Sequence, residues 1–177
     1  MSGFRKNYNS IETLKKRVTA LEVSVDVVPV TGAIYQSASM TVEGNYHGNL
    51  LYAGDSSHAS VVGSNLVYLN SSKEWKQASA GNGGEGSGSI TGIALSATPH
   101  THGVLVQGVY RMSSSLVYSA GADGALAIGA QVYMDPLHSG SLTTILPSGS
   151  GEVVRVVGHS IDSDMVYINP SPDYVEI

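Results

Sequence analysis

From Ile34 to its end the chain is a succession of short strand-prone runs, each closed off by Gly, Ser, Asn or Asp. The runs are SASMTV, NLLYAG, NLVYLN, ITGIALS, GVLVQGVYRM, SLVYSA, QVYMD, VVRVVGHSI and MVYIN. Runs this short, at a spacing of roughly a dozen residues with no helical period between them, predict hairpins. Parallel βαβ units need longer crossovers, so the pattern indicates an antiparallel β-sandwich or barrel. Composition agrees: 21 glycines supply turns, and ten tyrosines supply almost all of the aromatic content. Asn70–Trp75, reading NSSKEW, has the character of a hairpin turn. Residues 80–89, AGNGGEGSGS, form the longest flexible-looking segment and a possible boundary between two β sub-lobes.

The front of the chain obeys a different period. Ile11, Leu14, Val18, Leu21, Val25 and Val28 follow a 3-4-3-4-3 spacing, the a and d positions of a heptad. Asn9 or Ser10 can cap such a helix, and Pro29 ends the run because it has no amide hydrogen. β-branched residues accumulate from Val23, which places real helix at about residues 10–24. A helix of that length is marginal alone in water, so its stripe requires a partner. Arg17 at g and Glu22 at the next e stand at the separation that pairs neighbouring parallel helices. The competing reading lays the same amphipathic helix on its own domain. The chain thus divides into a short front segment (1–10), a coiled-coil helix (11–28) and an all-β domain (29–177).

Charge and composition exclude several functions. A net charge of −5 with nine basic residues offers no footprint for nucleic acid or an anionic membrane. The absence of cysteine removes disulfides and thiolate metal sites. No signal-like or membrane-spanning apolar run is seen, so the chain is expected to be made in the cytoplasm. No pattern calls for a cofactor. GEGSGS lacks the Lys-Ser/Thr and following helix of a phosphate-binding loop, and no nucleophile-elbow motif stands between a strand and a helix. Asp55, Asp135, Asp162, Asp164 and Asp173 lie beside turn residues, where Asp commonly bonds its own backbone. Tyr68, Tyr110, Tyr118, Tyr133 and Tyr167 recur within strands, at half-exposed or core-edge positions. His100 and His102 are the one metal-like pair. On a strand they would share a face, and three copies could ring one octahedral ion; the competing reading is a solvated turn after Pro99.

RVTALE, with Arg17, Val18, Leu21 and Glu22, resembles the trimerisation pattern of short parallel coiled coils, which implies three strands. From Leu66 to Ile177 the chain resembles a domain common in structural proteins of tailed bacteriophages, in fibres and on capsid surfaces. The resemblance rests on the hairpin ending at Trp75, GIAL at Gly92–Leu95, VYMD followed by SGSLTT, VVRVVG at Val153–Gly158 and the closing YINPSPDYVEI. It implies a non-enzymatic virion part, usually trimeric. On that reading the homotrimer decorates or cements the shell, or stands as a short head fibre, with a coat or other virion protein as partner. Phe4, Arg5, Lys6 and Tyr8 are then a candidate anchor to the capsid. The alternative is a tail-fibre or receptor-binding protein, with Trp75 and residues 80–89 touching host surface glycan.

Overall fold

The computed structural model describes residues 40–56, 61–81, 84–112 and 126–177, which belong to one unit, Ala33–Ile177. Their strands are β1 (Tyr46–Leu51), β2 (Leu66–Leu69), β3 (Trp75–Gln77), β4 (Thr91–Ala94), β5 (Val104–Arg111), β6 (Gln131–Met134), β7 (Leu142–Thr143), β8 (Val153–Val154), β9 (Val156–Asp162), β10 (Met165–Ile168) and β11 (Val175–Glu176). One helical turn, α1 (Pro99–His102), precedes β5. The described body is mainly β: an antiparallel sheet curled as a half-barrel, with almost no helix.

Strand β5 is the hub. Val104 pairs with Leu51 of β1 and with Ala94 of β4, while Tyr110 pairs with Tyr46 of β1 and Val166 of β10. A strand has two edges, so β1 covers one of them and β4 and β10 share the other. Two branches therefore leave β5: β4-β2-β3 from its first half and β10-β9-β6-β7 from its second. Side-chain alternation also changes phase along β5. Leu105 and Tyr110 both join the main core, although strict alternation would place them on opposite faces. The slip falls at Val106–Gln107: Leu105 pairs with Leu50 and Gln107 with Asn49, which leaves Val106 as the extra residue, next to a pair of facing glycines. There Gly48 (φ +154°) faces Gly108 (φ +144°), and a Cβ on Gly108 would stand 2.1 Å from the carbonyl oxygen of His47. Only a residue without Cβ permits that approach.

The curl encloses one core. Leu66, Ile93, Leu105, Val132, Met134, Leu142, Val157, Val166 and Ile168 bring both branches together. Burying each such side chain contributes about 1.5–3 kcal/mol before conformational entropy is counted. A second cluster of Val61, Val67, Trp75, Ala94 and Val104 lies apart from it, and Met40, Val109 and Met165 form a third. The main core contains residues on both sides of 80–89, including Ala78 and Ile93.

Most of the sequence-predicted runs are strands. The described part of SASMTV, Met40–Val42, is not; the first strand of the described residues starts at Tyr46. SLVYSA lies outside the described residues. VVRVVGHSI is not one strand but two, because the chain leaves one sheet for another at Arg155: β8 pairs with β11, and β9 with β6 and β10.

Candidate functional site

Beyond the end of β6, Asp135 organises a loop. Its Oδ1 accepts the N–H groups of Leu137 and His138, each at 2.7 Å, and lies 3.3 Å from His138 Nδ1. This is the turn chemistry expected of Asp followed by Pro136. It lifts Leu137 to the surface, where it is 81% exposed. Across from it, Glu152 Oε2 accepts the N–H groups of Ser148 (2.9 Å) and Gly149 (2.8 Å), which fixes a second turn. Thr143 Oγ1 accepts the N–H of Ile145 at 3.1 Å. Between the two turns lies an open groove of about 530 Å³ whose apolar walls are Pro136, Leu137, Ile145, Leu146 and Pro147.

The polar groups of this groove hold loops in place. Asp135, Glu152 and Thr143 each accept backbone N–H groups, so the surface they present is the exposed Leu137, Ile145 and Leu146. A nucleophilic site requires a hydroxyl relayed to a base. What this arrangement offers is contact area for another apolar surface.

The candidate residues of the sequence divide into three groups. The coiled-coil positions Ile11, Leu14, Arg17, Val18, Leu21, Glu22, Val25 and Val28, the anchor residues Phe4, Arg5, Lys6 and Tyr8, and Tyr118 lie outside the described residues. His100 and His102 fall on the helical turn α1, not on a strand; two residues apart on a helix they point about 200° from each other, which removes the shared face. His102 Nδ1 is 2.8 Å from Thr98 Oγ1. Among the described residues no group of three or more His, Asp or Glu side chains converges on a common point.

Trp75 departs from the reading as a sugar-contacting surface aromatic. It is 0% exposed, and its Nε1 donates to the carbonyl of Ala53 at 2.7 Å. A large ring with one donor is stable inside once that donor is satisfied. The described part of 80–89 is a series of hydrogen-bonded turns, including Gly84 N–H to Gly81 O and Ser87 N–H to Gly84 O. Asp162 bonds its neighbour Ser163 N–H as turn chemistry requires, whereas Asp164 instead pairs with Arg111 at 2.5 Å. Tyr110 and Tyr133 are buried, and Tyr68 and Tyr167 pack at core edges.

Two features went unread in the sequence. Leu137 stands apart in the chain from the adjacent Ile145 and Leu146, and the two turns bring them to one groove. Arg155 is buried, and its signal was present: a lone cation amid the valines of VVRVV. No described helix is long and apolar enough to cross a membrane. Compared with protein-family models, curated proteins and solved structures, the chain matches none.

Proposed function

We propose that the protein is a non-enzymatic structural component of a tailed-bacteriophage virion, a homotrimer on the capsid surface that decorates or cements the shell or forms a short head fibre. The observation that carries this reading is the heptad of residues 11–28, with Arg17 and Glu22 at g and e positions. Its seam is too short to be stable alone, and parallel pairing brings three copies of the β body together. The resemblance of Leu66–Ile177 to phage fibre and capsid-surface domains supports the setting. The exposed Leu137, Ile145 and Leu146 suit a part that works by surface contact, since symmetry multiplies each weak contact. Residues 1–10 then anchor the trimer to a coat subunit. The receptor-binding alternative loses one of its two sequence supports, because Trp75 is buried, and keeps residues 80–89.

Sedimentation equilibrium tests the assembly step. The wild-type chain is expected as a trimer, and a Val18→Asp, Leu21→Asp variant as a monomer that keeps its β circular dichroism. A wild-type monomer at all concentrations, or trimers that survive both substitutions, removes the basis of the proposal. In purified particles, copy number should scale with capsid lattice sites.

A further inference from the structure

Arg155 is 5% exposed, and withdrawing a guanidinium from water costs several kcal/mol unless it is compensated. Its Nε donates to the carbonyl of Ser171 at 2.8 Å, and its Nη1 donates to Gly86 O at 2.8 Å and Ser89 O at 2.9 Å. These acceptors are neutral. The ion pairs of the described residues involve Lys76, Arg111 and His138 and leave Arg155 without a carboxylate. Burial pushes its pKa down. A guanidinium has five N–H donors, so the two on Nη2 remain after these three bonds.

Thr91 carries a second defect. It is 3% exposed, and its Oγ1 is buried without a hydrogen-bond partner. An orphaned buried hydroxyl is costly and calls for an explanation. Thr91 and Arg155 line the same cleft of about 360 Å³, whose apolar wall is Ile90, Val106, Pro170 and Pro172. That volume is within the range of small-molecule sites, which combine apolar walls with a small number of polar groups.

We propose that this cleft binds a single carboxylate attached to a compact body, with Arg155 Nη2 donating to one oxygen and Thr91 Oγ1 donating to the other. One uncompensated cation matches one negative charge. A phosphate dianion would leave a net charge buried, which a single guanidinium does not offset. The apolar wall selects a ligand with at least one flat or apolar face. Two sources share this chemistry: an apolar acid and an acidic sugar. The site is independent of whether the chain trimerises or sits on a capsid.

Isothermal titration of the full chain decides it, with sodium benzoate and sodium glucuronate as probes. Benzyl alcohol and glucose serve as their uncharged counterparts, and sodium phosphate as the dianion. At least one carboxylate is expected to bind saturably in the millimolar range or tighter, with its uncharged counterpart weaker by about tenfold. Whichever carboxylate binds better identifies the source. Thr91→Val, which keeps the branched shape and removes the orphaned hydroxyl, is expected to weaken that carboxylate about fivefold. The ligand-free variant should melt no lower than wild type, a result that a purely structural threonine hydroxyl would not give. The proposal is overturned if neither carboxylate saturates by about 50 mM, an affinity too weak for a built site. It is equally overturned if Thr91→Val binds as wild type does, or if phosphate or a neutral counterpart binds more tightly than either carboxylate.

Discussion

Arg111 and Arg155 are both held against the curled sheet, in opposite ways. Arg111, on β5, has a formal counter-charge: its Nη2 lies 2.5 Å from Asp164 Oδ2, and its Nη1 donates to Met40 O at 2.6 Å. Arg155, between β8 and β9, is more deeply buried and donates to three main-chain carbonyls. The first joins two side chains in a half-exposed site, where water screens the pair and holds its value down. The second ties the turns at Gly86 and Ser89 to the segment at Ser171, across 66–69 residues of chain on one side. The two arginines thus differ in burial depth and in the number of chain segments joined as well as in formal charge pairing.

That contrast can be broken most directly at the deeper site. Arg155→Met is expected to lower stability by about 3 kcal/mol, because three carbonyls lose their donor and two segments lose their tie. Urea denaturation measures this, and a loss under about 1 kcal/mol would mean that the carbonyl staple is incidental. Arg111→Met should cost less, about 1 kcal/mol, since Asp164 is exposed enough for water to take over. Its effect should also shrink in high salt, while that of Arg155→Met should not. Equal losses at the two positions would erase the distinction.

The smallest effect sharpens the same contrast on the core side of β5. Tyr110 is buried, and its hydroxyl is 2.6 Å from Ser64 Oγ. Burial, more than the charge of Glu43, raises its pKa above the usual 10.0, against the lowering influence of Ser64. With the folded pKa above the unfolded one, this contribution is fully present below pH 10 and is lost as pH rises through the folded pKa. Tyr110→Phe is expected to cost about 1 kcal/mol or less at neutral pH and to flatten the alkaline loss of stability. An unchanged alkaline limb would assign that loss to other groups.

Local signals were legible where they depend on neighbours along the chain. Asn70–Trp75 reads as a hairpin turn and is one, with Asn70 N–H donating to Glu74 O at 3.0 Å between β2 and β3. Asp135 reads as turn chemistry and accepts two nearby N–H groups. The same reasoning failed for Asp164, whose partner is 53 residues away by number, at Arg111. It failed for Trp75, because a hairpin does not reveal which of its faces another strand covers. His100 and His102 lie on a helical turn because Pro99 opens it at N1 and Gly103 closes it, local cues that the alternating pattern obscured.

What the sequence determined by itself is the alternation of short strands and turns, since pleating and turn conformation are set by residues within a few positions of each other. The tertiary structure alone decided where the strands go. Gly48 meets Gly108 only after β1 and β5 pair, and β4 and β10 share the other edge of β5. It also decided that Arg155 and Thr91 share a cleft, because desolvation and unpaired donors are properties of what surrounds a side chain in space, and chain order does not record them.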